Sequence, residues 1–146
     1  MILIGDIGNT DTKICLINSN YKIIKRLVLP TQKINNSLLF QSLYFIIKRK
    51  INIKKSLFSS VVPNQFNLIK SFIKKKFKIK CIELKKLNLK KIMKIKVNRK
   101  QIGSDRLANS IAVISKNKNF IILDFGTATT FDVVIGNVYN GGVIAP

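Results

Sequence analysis

The chain contains no histidine, and that omission removes Ser/His/Asp catalysis, Cys/His catalysis and any histidine-ligated metal from consideration. Cysteine is limited to Cys15 and Cys81, each inside an apolar strand-like run. Without a CxxC spacing they make neither a disulfide framework nor a zinc site, and both read as buried small hydrophobes. Only three prolines interrupt the 146 residues, 47% of which are apolar, so a folded globular chain is expected rather than a disordered one. Long apolar runs are missing too. Stretches such as Phe120–Leu123 fall far short of the ~20 residues a membrane-spanning helix needs. Met1–Gly5 has no basic lead-in and no small-residue cleavage pattern, so no signal peptide is read and a cytoplasmic location is expected. Neither GxxxxGK[ST] nor GxGxxG occurs, which leaves P-loop and Rossmann nucleotide sites without support. Any chemistry must therefore use carboxylates, hydroxyls, lysines or a bound cation.

Acidic residues are scarce as well: six Asp and Glu against 27 Lys and Arg, a formal charge of +21. Such a surface invites a nucleic-acid reading, because basic side chains release counterions when they meet phosphates. The basic residues are mostly lysines, however, and they are spread through strands and helices alongside abundant Ile and Asn. All three have A+T-rich codons, and drift in base composition accounts for them. Against that background the few carboxylates are informative. Asp6, Asp105, Asp124 and Asp132 lie inside short glycine-containing motifs, Asp11 lies beside one, and Glu83 is the outlier. Glycines also cluster at Gly5 and Gly8 and again from Gly103 onward, as required where a chain turns tightly or lets a ligand approach its backbone.

Apolar runs at Met1–Asp6 and Thr12–Asn18 predict a β-hairpin around DIGNTD, and Lys22–Leu29 predicts a third strand. A helix is expected from about Ser37, as N-cap, to Lys48. Ser56–Val62 reads as a strand stopped by Pro63, Asn64–Phe77 as an amphipathic helix, and Ile79–Leu84 as a strand. Leu87–Lys100 carries no clear periodicity. Ser104 is expected to cap a helix to about Ser115, followed by a second hairpin, Phe120–Phe125 and Thr129–Ile135, around GTAT. The two hairpins repeat one another: Asp6-Ile7-Gly8-Asn9-Thr10 parallels Asp124-Phe125-Gly126-Thr127-Ala128. The pattern predicts an α/β protein with a mixed sheet and a duplicated, two-lobed plan.

A strand that turns on glycine and presents amides with Asn or Thr side chains forms an anion cradle, and two such hairpins face to face would clasp a polyphosphate. Asp6 suits a hydrated magnesium ion bridging those phosphates, and Lys13 a phosphate oxygen. In GSDRLAN, the helix N-terminus and Arg106 both favour an ionised Asp105. That carboxylate is a candidate general base for a substrate hydroxyl attacking a γ-phosphate, with Arg106 gripping an anionic or polar part of the substrate.

DIGNT, GSDRLAN, DFGTATTFDVV and GGVIAP, in that order, with SVVP at Ser60–Pro63, resemble the successive signatures of type III pantothenate kinase over essentially the whole chain. The resemblance implies an actin-like ATPase (RNase H-like) fold, with one complete lobe at 1–115 and the first hairpin of a second lobe at 116–146. It implies phosphorylation of pantothenate by ATP, the first step towards coenzyme A. Residue by residue, it makes Asp6, Ile7, Gly8, Asn9, Thr10, Asp11, Thr12 and Lys13 the first phosphate loop, with Asp6 meeting the magnesium of ATP, and Thr127 an ATP contact. Asp105 becomes the proton acceptor, and Gly103, Ser104, Asp105 and Arg106 the pantothenate-contacting segment. Asp124 is assigned a monovalent cation, K⁺ or NH₄⁺, while Asp132 supports the second hairpin. Lys96 stands where the family usually has a substrate-contacting tyrosine, and Arg99 where proline is common.

The resemblance further implies a continuation beyond Pro146 that would complete the second sheet and make most of a homodimer interface. Without it, the second hairpin is expected to lack neighbouring strands. The rival readings are a non-catalytic remnant or regulatory member of the same family and, less favoured, a basic nucleic-acid-binding module using Lys70–Lys80 and Lys85–Lys100; the latter stretches contain few stacking aromatics. No membrane partner is expected.

Overall fold

A computed structural model describes residues 1–145. Compactness divides the chain into two units, Met1–Leu84 and Lys85–Pro146. That division falls ahead of the expected lobe boundary at 115/116.

In the first unit, β1 (Ile2–Ile7) and β2 (Asp11–Ile17) form the expected antiparallel hairpin, and β3 (Ile23–Pro30) pairs with β2 antiparallel. β4 (Lys55–Ser60) lies parallel to β1, and β5 (Cys81–Glu83) parallel to β4, giving a mixed sheet of order β3-β2-β1-β4-β5. Parallel neighbours need a crossover rather than a turn. Helix α1 (Asn36–Lys48) lies in the connection leading to β4, and helix α2 (Pro63–Phe77) in the one leading to β5. Alternation along the strands then decides what faces the helices. Leu3 and Ile7 of β1, Ile14 and Leu16 of β2 and Phe58 of β4 join Leu39, Leu43 and Ile46 of α1 and Ile69, Phe72 and Ile73 of α2 in one core. The opposite parity, which includes Asp6 and Lys13, is left for the other face of the sheet. Cys81 is buried as expected, whereas Cys15 is only half-buried.

The second unit begins with the stretch that has no periodicity. It folds as short 3₁₀ turns at Leu89–Lys91 and Arg99–Gln101, with a two-residue strand β6 (Lys94–Ile95) between them. Asn88 and Asn98 cap these turns by accepting the Lys90 and Lys100 amides. The Arg99 guanidinium ties the stretch together by donating to the Lys85 and Leu87 carbonyls at 2.8 and 2.7 Å. Helix α3 (Ser104–Val113) follows, then β7 (Asn119–Phe125), β8 (Thr129–Ile135) and β9 (Val138–Ala145). The sheet runs β6-β9-β8-β7, with β6 parallel to β9 and the other pairs antiparallel.

β9 is a departure from expectation. Its two adjacent glycines argue against a strand by propensity, yet a bulge places Gly141 at φ +101° and lets the pairing continue. β8 therefore has neighbours on both sides. β7 remains an edge, and Ile121, Leu123 and Phe125 on one of its faces are exposed. Pro146, the last residue of GGVIAP, lies outside the described residues. No helix among the described residues is long and apolar enough to cross a membrane.

The helix starts are also corrected. Asn35, not Ser37, is the N-cap of α1, its side chain accepting the Leu38 amide at 2.9 Å. Pro63 does not merely stop β4 but opens α2 as a first-turn residue, where its missing N–H costs nothing. Gly103, not Ser104, stands at the N-cap of α3, and Ser104 is buried inside the first turn. The first of these corrections is directly testable. Asn35→Ala should lower stability to urea by about 1 kcal/mol, whereas Ser37→Ala should change it by no more than a few tenths. Equal effects of the two substitutions would return the cap to Ser37.

Candidate active site

Three polar clusters carry the residues singled out by sequence. The first lies in unit one at the β1–β2 turn. Asp6 sits directly across from Lys13 on β2 and from Ser59 on β4, and the Ser59 hydroxyl donates to Asp6 Oδ1 at 2.6 Å. The bend closes through the Gly8 amide, which donates to the Asp11 carbonyl at 3.0 Å. Asn9, Thr10, Asp11 and Lys13 are exposed around it. Ile7 and Thr12 belong to the other side of the sheet and are fully buried. Of the expected phosphate-loop residues, these two can therefore reach a ligand only through their backbone.

The second cluster is the first turn of α3. One Asp105 carboxylate oxygen accepts the Arg106 amide at 2.8 Å, so the side chain folds back over the helix start. This conformation needs Gly103: a Cβ there would stand 2.3 Å from Asp105 Oδ1. Arg106 does not reach outward as the sequence reading supposed. It is buried, and its Nε donates to both oxygens of Asp132 at 3.0 Å while Nη2 donates to Oδ1 at 2.7 Å. The Tyr139 hydroxyl donates to the same Asp132 oxygen, and Ser110 Oγ donates to the Arg106 carbonyl at 2.7 Å. A Cβ on Gly142 would stand 1.8 Å from the Phe131 carbonyl and 2.8 Å from Arg106 Nη2, so β9 comes this close only because the residue is glycine. The hydrogen bond to Asp132 raises the Arg106 pKa, against the effect of burial, and the guanidinium stays charged. Burial first, then the bond to Asp132, pushes the Tyr139 hydroxyl well above its ordinary value of 10.0.

The third cluster surrounds Asp124 on β7. Asn109 of α3 donates to Asp124 Oδ2 at 2.8 Å, and Thr130 lies directly across on β8. Thr130 Oγ1 is buried and has no hydrogen-bond partner among the described residues. A carboxylate beside an unsatisfied hydroxyl oxygen is a donor set that fits a hard monovalent cation. Asp6 similarly fits magnesium, which binds through one or two carboxylates and keeps most of its waters. Among the described residues there is no group of three or more His, Cys, Asp or Glu that could hold a metal by itself. The Gly126–Ala128 bend repeats the first one locally, its Gly126 amide donating to the Ala128 carbonyl at 3.2 Å, with Thr127 exposed at the tip. The repeat is not exact in register. Ile7 pairs with Thr12, but Phe125 pairs with Thr129, so the second turn is one residue tighter and Thr130, not a lysine, faces its aspartate.

Ser59, Asn109 and Tyr139 are site residues that sequence does not single out, and Asp132 enters from sequence only as support for the second hairpin. Spacing offers no signal for the first three, since each meets its partner across a tertiary contact. Asp132 had one, an aspartate at the inward parity of a β-branched strand.

Two measurements check the buried assembly. Asp132→Asn, which keeps the shape and removes the charge, should lower unfolding free energy by about 3–5 kcal/mol, because it leaves a buried guanidinium without its counter-charge. Tyr139 has a folded-state pKa above its value of 10.0 in the unfolded chain, so its contribution to stability is whole below pH 10.0 and is lost as pH climbs through the folded-state value. Folded protein at about pH 11 should accordingly show the same tyrosinate absorbance with and without Tyr139→Phe. A fall in that absorbance in the variant would mean that Tyr139 is ionised while the fold persists.

Comparison with known proteins places these clusters in a family. The family model described as type III pantothenate kinase matches residues 2–146. A type III pantothenate kinase from Pelagibacter ubique is 65% identical over 146 residues, covering 100% of this chain and 59% of the relative. Another, from Fusobacterium nucleatum, is 36% identical over 155 residues and is covered to 60%. The chain thus spans less than two thirds of the length of the curated relatives it matches. Among solved structures, a protein from Campylobacter jejuni described as a Baf family transcriptional activator aligns with TM-score 0.54 at 21% identity, over 99% of this chain and 54% of that one. One from Porphyromonas gingivalis described as an N-acetylglucosamine kinase aligns with TM-score 0.54 at 17% identity, over 98% of this chain and 47% of that one. Those two likenesses concern the fold, which is α/β with mixed sheets as expected of an actin-like ATPase lobe. The matches in sequence settle the family: the chain belongs to the type III pantothenate kinases.

Proposed function

We propose that the chain carries nucleotide-binding and proton-transfer elements of an enzyme that phosphorylates pantothenate with ATP, forming 4′-phosphopantothenate on the way to coenzyme A. The observation that carries this reading is the family match across residues 2–146, which takes in both glycine bends and the start of α3. The domain reading that goes with it is an N-terminal RNase H-like lobe with an interlobe helix at 1–115 and the start of a second lobe at 116–146. A cytoplasmic location, with access to ATP, and homodimerisation of the full-length form belong to the same proposal.

In this reading the Gly8–Thr10 bend receives nucleotide phosphates on its amides, with Lys13 beside it; in the second unit, Thr127 is proposed as an ATP contact. Asp6, steadied by Ser59, would hold the magnesium that accompanies ATP, and Asp124 with Thr130 would hold the monovalent cation. When bound, these cations neutralise phosphate charge. Asp105 accepts the proton of the pantothenate hydroxyl as that oxygen attacks the γ-phosphorus, and transfer otherwise depends on positioning. The geometry changes the role of Arg106. With Nε and Nη2 engaged on Asp132, it anchors the first turn of α3, and contact of Gly103–Arg106 with pantothenate falls mainly to the backbone and to Asp105.

The test is release of ADP by the 146-residue chain with pantothenate, Mg·ATP and K⁺. Asp105→Asn should lower turnover about 10²–10⁴-fold, the usual worth of a positioned proton acceptor. Gly103→Ala should lower it as well, because the added methyl displaces the Asp105 carboxylate. Near-normal turnover by Asp105→Asn would reject the base. No turnover by the unaltered chain would favour its being a non-catalytic member of the family.

A further inference from the structure

An anion cradle works only if its amides face the ligand, and the carbonyls of the same peptide planes must then face the protein. Each carbonyl turned inward needs a donor there, since a buried carbonyl without one is costly. In the first unit a single residue supplies two such donors. Thr31, which follows β3 in the 3₁₀ turn Thr31–Lys33, is fully buried. Its amide donates to the Thr10 carbonyl at 2.8 Å, and its hydroxyl donates to the Gly8 carbonyl at 2.8 Å. The Thr12 hydroxyl lies 2.9 Å from Thr31 Oγ1. A hydroxyl has one hydrogen, and that of Thr31 is directed to Gly8, so Thr12 is the donor in this pair. The relay runs from Thr12 to Thr31 to Gly8.

The consequence for the bend follows from peptide geometry. No peptide bond among the described residues is cis, so the Asn9 N–H points opposite to the Gly8 carbonyl. Fixing that carbonyl on Thr31 fixes the Asn9 amide away from the core, on the exposed side of the turn. Asn9 itself is exposed.

We propose that Thr31 is a positioning residue for nucleotide: by holding the Gly8 and Thr10 carbonyls inward it keeps the Asn9 amide in its phosphate-facing orientation. Thr12, a member of the expected phosphate loop, acts in the same way through its hydroxyl rather than by touching the ligand. This rests on the nucleotide reading of the bend given above, and it adds a residue that lies outside every glycine motif.

The test is calorimetric titration of the 146-residue chain with Mg·ATP, comparing Thr31→Val, Thr31→Ser and Ile46→Val. Valine keeps the shape and the backbone amide but deletes the hydroxyl; serine restores the hydroxyl. Ile46→Val thins the core of unit one at α1, a change that lowers stability without touching the bend. Thr31→Val should weaken Mg·ATP binding about tenfold, on the scale of one lost hydrogen bond, with Thr31→Ser within about twofold of the unaltered chain. Ile46→Val should bind normally while unfolding earlier. Unchanged affinity in Thr31→Val, failure of serine to rescue, or an equal loss in Ile46→Val would each overturn the positioning role while leaving the nucleotide site standing. Absence of binding by the unaltered chain would refute the nucleotide reading and this proposal together.

Discussion

The second unit is organised around one buried carboxylate. Asp132 takes Nε and Nη2 of Arg106 and the hydroxyl of Tyr139, and in doing so joins α3, β8 and β9. A charge at that depth is tolerable only when paired and hydrogen-bonded, so each partner is a condition on the others. Gly142 is one such condition, because any side chain there would meet the β8 backbone and the guanidinium. The orientation of the first turn of α3, and with it the position of the Asp105 carboxylate, follows from this anchoring.

The first unit solves a comparable problem with neutral groups. At its bend the Gly8 and Thr10 carbonyls are met by Thr31 rather than by a charge. Hydroxyl relays of this kind cost less desolvation than an ion pair and suit a turn packed directly over an aliphatic core. Asp6 sits on the opposite face of the same sheet, with Ser59 as its donor. The two faces of β1 and β2 thus divide the work: Ile7 and Thr12 hold the bend from the core side, and Asp6 and Lys13 present charge on the other.

Much of the fold was legible in residue patterns. The order of elements through β5 follows from apolar alternation, helical stripes and turn residues, and the fold class follows from their order. The helix starts were not, because a cap depends on which side chain folds onto the amides rather than on which residue types are nearby. Asn35 and Ser37 are both capping residues, and only geometry chooses between them. β9 was missed for the opposite reason. Its glycines read as marking a tight turn or a ligand's approach to the backbone, while the structure uses them to bring a strand against Phe131 and Arg106. The same sequence feature served packing.

The sequence by itself determined the family, the α/β class and the positions of the scarce carboxylates, since glycine bends, apolar periodicity and motif order are local properties that survive without coordinates. Only tertiary structure decided the direction in which those motifs face. Arg106 turns inward because Asp132 and Tyr139 lie 26 and 33 positions later in the chain and complete its burial. Thr31 reaches the first bend because β3 folds back beside β2. Contacts between residues so far apart depend on strand register and packing, and neither is written in the spacing of residues along the chain.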